Sequence, residues 1–226
     1  LAALLAAACQ PSSQVVEEKV PVTDGKARLA MFEKHQSMEQ DSEFKDNKWQ
    51  FLGPKNTSGR MTDTAISTDK TVLYTAAASG GVWKTTDDGD SWKCVFENEI
   101  TTSIGDIAVA PSDKNIVWIG TGESNIFRSS HAGCGIYKST DGGSTWQHSG
   151  LEHTGTIARV VVHPTDPDVV YVAATGNEWT PNPERGVYKT TDGGGSWQMI
   201  LQKDDLTGAV DLDMDPSDPN TLYAAT

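Results

Sequence analysis

The sequence predicts an all-β fold in which a four-stranded antiparallel sheet is repeated along the chain. An eight-residue pattern, S/T-x-D-x-G-x-S/T-W, occurs three times, beginning at Thr85, Ser139 and Thr190. The copies lie 54 and 51 residues apart, with runs of β-branched and aromatic residues between them. Gly, Pro and Asp turns bound those runs, which is typical of strands. A period of about fifty residues indicates a repeat fold, and strands at that period predict a β-propeller.

The repeated pattern is predicted to be a hairpin turn between two strands. Its Asp and hydroxyl side chains can accept hydrogen bonds from backbone N–H groups, and its Gly supplies the positive φ of the reversal. Its Trp begins the next strand and carries a large apolar surface that can pack on a neighbouring unit. We assign a structural role to Asp87, Gly89, Trp92, Asp141, Gly143, Trp146, Asp192, Gly194 and Trp197.

Three complete repeats predict three four-stranded blades. The inner strands are expected at residues 61–67, 104–110 and 157–163, and the second strands at 72–77, 116–121 and 169–175. The third strands are expected at 81–85, 135–139 and 186–190, and each outer strand at a pattern Trp. A fourth repeat adds strands at 210–215 and 221–226, which makes about three and a half blades of an incomplete propeller. The second strands carry equivalent aromatic residues at Tyr74, Trp118, Tyr171 and Tyr223.

Trp49 stands in the place of a pattern Trp, although no copy of the pattern precedes it. It lies 20 residues before Asp69, and the three pattern Trp residues lie 20 or 21 residues before the equivalent turn Asp. We therefore expect Trp49 to begin an outermost strand that has no blade of its own. In the full-length protein this strand is expected to complete the last blade and close the ring, which removes an open sheet edge.

The three copies resemble the Asp-box, or BNR repeat, of bacterial sialidases, two-propeller xyloglucan-cleaving glycosidases and the sortilin family. Residues 48–226 are most similar to bacterial secreted proteins described as glycosyl hydrolases or sortilin-like, with blade sequences such as GGVWKTTDDGDSW and GIYKSTDGGSTW. The resemblance implies a propeller whose Asp-boxes lie on the rim, away from the active face. It implies either polysaccharide hydrolysis or, as in sortilins, peptide binding.

Specific catalytic signatures of those families are missing from the sequence. No FRIP motif of sialidases occurs. The xyloglucan-cleaving enzymes place an Asp just before the Gly-Gly of an early blade, but residues 76–81 read Ala-Ala-Ala-Ser-Gly-Gly. Because function depends on the site and not on the fold, the resemblance leaves enzymatic activity open.

Composition excludes some classes of function. The 226 residues carry a formal net charge of −13, which argues against nucleic-acid binding because few cations are available for phosphates. No apolar run approaches the roughly 20 residues of a membrane-spanning helix. Neither an HExxH motif nor a Cys/His cluster occurs, so no metal or other cofactor is expected.

The first nine residues, LAALLAAAC, resemble the end of a bacterial lipoprotein signal. Cys9 is then the lipidated first residue of the mature protein and the membrane contact; the alternative is an ordinary secretory signal. Either reading predicts export, and the first predicts a lipoprotein of the outer membrane, cell surface or periplasm. Residues 10–47 are predicted to be a polar tether, with a short helix within 26–44 and the propeller from 48 to 226.

Two cysteines remain, and the sequence leaves their state open. Cys94 alternates with Trp92 and Phe96 on one strand face, which favours a buried small hydrophobic residue. A disulfide with Cys134 is the alternative in an oxidising compartment.

Two long loops, 122–134 and 176–185, are predicted on the face opposite the Asp-box turns. Each leaves its strand as Thr-Gly followed closely by an acid, so Glu123 and Glu178 are candidates for the acid and base of a glycosidase. Candidate substrate-binding residues are Arg60, Arg128, His131, Trp179 and Arg185. In the alternative interpretation, the Glu–Arg pairs are ion pairs that stabilise the loops and Trp179 covers the rim. The sequence thus supports a polysaccharide-cleaving enzyme or a non-catalytic propeller that binds peptide, protein or glycan.

Overall fold

The computed structural model describes residues 24–47, 59–125 and 130–226. The predictions for Cys9, Trp49 and Arg128 fall outside these ranges. A single helix, α1, spans Gly25–Gln40 within the described part of the chain. Leu29 and Phe32 on this helix are half-buried, whereas His35 is exposed. Among the described residues, no helix is long and apolar enough to cross a membrane.

Fourteen strands form three four-stranded antiparallel sheets and one two-stranded sheet in the described ranges. Blade 1 contains β1 Met61–Ile66, β2 Leu73–Ala77, β3 Gly81–Thr85 and β4 Lys93–Cys94. Blade 2 contains β5 Ile104–Ala110, β6 Asp113–Thr121, β7 Ile136–Ser139 and β8 Gln147–His148. Blade 3 contains β9 Ile157–Val162, β10 Val170–Ala174, β11 Gly186–Thr190 and β12 Gln198–Leu201. The two-stranded sheet contains β13 Asp211–Met214 and β14 Leu222–Ala225.

The predicted β-propeller of four-stranded antiparallel blades is confirmed. Strands follow one another in sequence order within every sheet, and neighbouring inner strands pack together from β1 through β5 and β9 to β13. The largest departure is β6, which begins at Asp113 because Asp113 pairs with Ala110 across a tight turn. The loops after the second strands therefore lie on the face opposite the repeated turns.

Three apolar clusters lie between consecutive sheets, so each sheet is covered by its neighbours. The first joins Tyr74 and Val82 of blade 1 to Ile104 and Tyr137 of blade 2. The second joins blades 2 and 3, and the third joins blade 3 to the two-stranded sheet. A sheet with two apolar faces must be covered on both, so stability resides in the contacts between blades.

The repeated turn of one blade is also held by the preceding blade. The Tyr74 hydroxyl and the Lys84 ammonium both donate to the carbonyl of Gly142 in the blade 2 turn, at 2.9 and 2.8 Å. In the next pair of blades, Lys138 lies over the Trp118 ring and donates to the carbonyl of Gly193 at 3.0 Å. The same contact therefore occurs between blades 1 and 2 and between blades 2 and 3.

In blades 2 and 3, the Trp of the turn also reaches the preceding blade. The indole N–H of Trp146 donates to the carbonyl of Val95 at 2.7 Å, and that of Trp197 donates to Ser149 at 2.6 Å. Trp92 lies in blade 1, and its 40 % exposed indole donates to Gly89 of its own turn at 3.1 Å. The indole is thus a junction element in blades 2 and 3.

Within the turn, the Asp side chain accepts hydrogen bonds from backbone N–H groups that have no backbone acceptor. Asp141 accepts hydrogen bonds from the backbone N–H groups of Ser144 and Thr145, both at 2.9 Å, and from the Thr145 hydroxyl at 2.6 Å. These bonds lower the pKa of Asp141 to about 2, with the Thr145 hydroxyl the largest cause. Gly143 adopts a φ of 82°, which favours glycine.

Replacing Tyr74 by Phe tests the junction between blades 1 and 2. We expect the free energy of unfolding to fall by about 1 kcal/mol, because one buried hydrogen bond to Gly142 is lost while the ring remains. Urea denaturation measures the difference. Tyr223→Phe is the matched control, since Tyr223 is 64 % exposed at the equivalent position of β14. Equal stability of Tyr74→Phe and the wild type would contradict the assignment.

Candidate functional site

The first predicted acid, Glu123, lies in a buried ion pair. Its side chain is 1 % exposed, and the Arg60 guanidinium binds both carboxylate oxygens, Nε to Oε1 at 2.7 Å and Nη2 to Oε2 at 2.6 Å. Arg60 immediately precedes β1 and Glu123 follows β6, so the pair joins blades 1 and 2. This bidentate geometry favours an ion pair that fixes the start of the first long loop.

Arg185 organises the second long loop from within. It is 7 % exposed, and its guanidinium donates to the carbonyls of Thr175, Asn177 and Thr180. Three carbonyls bound by one cation hold the two ends of the loop together. The guanidinium is therefore engaged within the loop, and its role in substrate binding stays a prediction.

A cavity of about 280 Å³ lies between the two long loops. It is lined by Ser130, His131, Ala132, Thr156, Asn177, Glu178, Trp179 and Thr180. We call this space the Trp179 pocket. The structure thus brings together three of the predicted site residues, His131, Glu178 and Trp179.

The Trp179 pocket combines an exposed ring with unpaired polar atoms. Trp179 is 80 % exposed, the most exposed of the tryptophans in the described ranges. Glu178 Oε1 and Thr180 Oγ1 are buried and have no hydrogen-bond partner among the described residues. An aromatic face beside unsatisfied oxygens suits a ligand that is apolar on one side and rich in hydroxyl groups on its edge.

The two candidate catalytic acids do not share this pocket. Glu178 lines it, whereas Glu123 is held by Arg60 and does not line it. Glycosidase chemistry requires two carboxyl groups on either side of one scissile bond. The roles of Glu123 and Glu178 as acid and base therefore stay a prediction.

Sequence reasoning pointed to Asp63 beside Arg60 at the start of the first inner strand, but it missed the charged residues at the equivalent positions of the other inner strands. Asp63, Asp106, Arg159 and Asp211 occupy equivalent positions six or seven residues before the turn Asp of each repeat. Arg159 binds Asp106 at 3.1 Å and Asp211 at 2.9 Å. Asp106 also accepts the backbone N–H of Val160 at 2.7 Å. Their common spacing from the turn is the signal that identifies them.

Asp106 is the most perturbed carboxyl of this group. It is 2 % exposed, and burial raises its pKa to about 8, with Asp63 as a second cause. The folded protein therefore holds this proton between pH of about 4 and about 8, where the unfolded chain has released it. Stability from this group is present below pH 4 and is lost as the pH rises toward 8.

Replacing Asp106 by Asn is expected to reduce the change in the free energy of unfolding between pH 4 and pH 8. The amide keeps an acceptor for Val160 N–H but does not titrate. The wild type should lose on the order of a few kcal/mol of unfolding free energy between pH 4 and pH 8, and the variant clearly less. Urea denaturation across this range measures both slopes, with the exposed Asp90→Asn as control. Parallel slopes for wild type and Asp106→Asn would contradict the assignment.

The remaining chemical groups are thiols and imidazoles. Cys94 is half-buried and Cys134 is buried; both are free, so the alternative of a disulfide between them is wrong. Burial raises the pKa of both thiols. His131 is exposed, and its backbone carbonyl accepts from the Ser103 hydroxyl at 2.9 Å. No group of three His, Cys, Asp or Glu side chains suited to a metal occurs in the described residues.

Comparison with known proteins supports the fold. No family model matches the chain. A xyloglucanase from Paenibacillus sp is 27% identical over 177 residues, which cover 70% of this chain and 17% of that enzyme. The chain therefore spans about a sixth of the length of this relative.

Comparison with solved structures also supports the β-propeller fold. An ancestral GH74 enzyme matches with a TM-score of 0.62 at 23% identity, covering 78% of this chain and 23% of that one. The GH74 enzyme of Niastella koreensis matches with a TM-score of 0.52 at 24% identity, covering 73% and 26%. YCF48 bound to D1 peptide matches with a TM-score of 0.50 at 16% identity, covering 71% and 47%. At these identities the likeness establishes a β-propeller and leaves its activity to the site.

Proposed function

We propose that this propeller binds polysaccharide on its loop-bearing face, with the Trp179 pocket as the contact. The observation that carries the proposal is the 80 % exposed indole of Trp179 beside the unpaired oxygens of Glu178 and Thr180. The apolar face of a sugar ring stacks on the indole, and its edge hydroxyls face the polar residues that line the same pocket, such as Glu178 and Asn177.

The ligand class proposed is a β-glucan such as xyloglucan. The 27% identical relative is named a xyloglucanase, and its matched region covers 70% of this chain. The net charge of −13 also favours a neutral glycan over a polyanion, which the protein would repel.

Binding, and not hydrolysis, is proposed for the residues described. Glu178 is the carboxylate at the Trp179 pocket, and Glu123 is already held by Arg60 at two oxygens. A second carboxyl group about 5–9.5 Å from the first is required for cleavage of a glycosidic bond. A peptide is the second candidate ligand, since the YCF48 propeller of similar fold is bound to D1 peptide.

Trp179→Ala tests the pocket. Loss of stacking should weaken binding of xyloglucan oligosaccharides to the purified protein by roughly tenfold, as expected for one aromatic contact. Isothermal titration calorimetry measures the affinity. Trp92→Ala is the matched control, because Trp92 is a 40 % exposed indole in a repeated turn on the opposite face. Equal affinity of Trp179→Ala and wild type would place the ligand elsewhere.

Two further measurements separate the alternatives. Release of reducing sugar from a panel of glucans, abolished by Glu178→Gln, would contradict a purely binding role. Binding of a peptide library without binding of any glucan would support the second candidate and overturn the first.

We also propose that the protein is exported and anchored through Cys9, on the basis of the apolar sequence that precedes this residue. Cells expressing the full-length protein and grown with a labelled fatty acid should incorporate the label, and Cys9→Ser should abolish it. Several acyl chains are expected to hold the protein at the membrane. Unlabelled wild-type protein that is still exported would support the ordinary secretory signal instead.

A further inference from the structure

A second and larger pocket adjoins the Trp179 pocket. Its volume is about 720 Å³, and it lies between the first turn of α1 and the two long loops. His131, Ala132 and Asn177 line both pockets. The two spaces thus form one groove, which we call the loop-face groove.

The far wall of this groove is the first turn of α1, and it is fixed in place. The Arg28 guanidinium donates to the carbonyls of Gly133 at 2.5 Å and Ala132 at 3.5 Å. Asp24 lies 3.3 Å from His153 through Oδ1 and Nδ1. A Cβ at Gly25 would lie 2.2 Å from the carbonyl oxygen of Glu152, so only glycine allows this contact.

The rest of the helix does not share that contact. Met31 and Met38 are 65 % and 62 % exposed, and every residue from 33 to 40 is exposed. Docking therefore involves the N-terminal half of α1, which begins at the turn that borders the groove. A segment expected to be a polar tether contributes a wall of the groove, which indicates a role at the site.

The other wall of the groove is formed by the loop 176–185, which also carries most of the unpaired buried polar atoms. Six such side-chain atoms occur in the described residues, and four lie on the loop 176–185. They belong to Glu178, Thr180, Asn182 and Arg185. Asn182 is 5 % exposed and lines the larger pocket, with its Nδ2 bound to Glu184 at 2.6 Å and its Oδ1 unpaired. The bond from Asn182 holds the Glu184 carboxylate on this wall, where Glu184 also lines the larger pocket.

The charges of the larger pocket define the class of ligand. Asp24, Glu152 and Glu184 line it with one Arg, so an anion would be repelled. Sugar hydroxyls can donate to these carboxylates and accept from Arg28. The guanidinium has five N–H donors, and the structure gives it bonds to the two loop carbonyls. A neutral, polyhydroxylated ligand therefore fits.

We propose that the larger pocket is a second saccharide subsite, in which Arg28, Asp24 and Glu184 bind sugar units beyond the one stacked on Trp179. This inference rests on the proposed polysaccharide binding. In this proposal, the residues of α1 make the binding affinity depend on the length of the glucan chain. Short oligosaccharides would occupy the Trp179 pocket alone, and longer ones would fill the whole groove.

Calorimetric titration of the purified protein with xyloglucan oligosaccharides of increasing length tests the proposal. The wild type should gain affinity with length. Arg28→Ala should lose about tenfold for the longest oligosaccharide, the loss of one charge-assisted hydrogen bond, and nothing for the shortest. Trp179→Ala should lose affinity at every length.

Two further variants distinguish the loss of a saccharide contact from a disturbance of α1. Glu184→Gln removes a carboxylate from the opposite wall, so it should reproduce the length-selective loss if Arg28→Ala also disturbs α1. Lys34→Ala, at an exposed position of the same helix, should match the wild type. Wild-type length dependence in both Arg28→Ala and Glu184→Gln would overturn the second subsite while leaving the Trp179 pocket intact. Failure to bind any saccharide would overturn the proposed function itself.

Discussion

The structure depends on the contact between the repeated turn of one blade and the aromatic–lysine pair of the blade before it. At the junctions of blades 1 and 2 and of blades 2 and 3, a lysine of the third strand donates to a glycine carbonyl in the next turn. An aromatic ring of the second strand lies beneath each lysine, Tyr74 in one case and Trp118 in the other. A hydrogen bond from a cation in a partly buried site is stronger than a neutral one, so the turn fixes the blade-to-blade distance.

As a result, the two faces of the propeller have different roles. The face with the repeated turns uses its polar groups within the turns and at the junctions, as Asp141 illustrates. The opposite face carries the long loops, where buried oxygens such as Glu178 Oε1 remain unpaired. Loops on a rigid scaffold are free to take up binding because the scaffold does not depend on them. The ion pair of Arg60 with Glu123 anchors one loop to that scaffold at its base.

Much of the fold could be predicted because its signals are local. Period, turn residues and alternating apolar runs placed every strand of the described residues within a few positions, and the same alternation placed the long loops on one face. The partners of individual charges could not be predicted, because they depend on how blades pack. Arg60 and Glu123 are 63 residues apart in sequence, and the pairing of Asp106 with Arg159 also crosses a blade junction. Docking of α1 depends on the fit of Gly25 against Glu152, which the weakly amphipathic helix sequence does not reveal.

The central claim is that ligand recognition belongs to the loop-bearing face. The most direct measurement is a crystal structure of the protein with a bound xyloglucan oligosaccharide. We expect a sugar ring stacked on Trp179, with further units extending toward Arg28. Density for the oligosaccharide on the face of the repeated turns, with the loop-face groove empty, would contradict it.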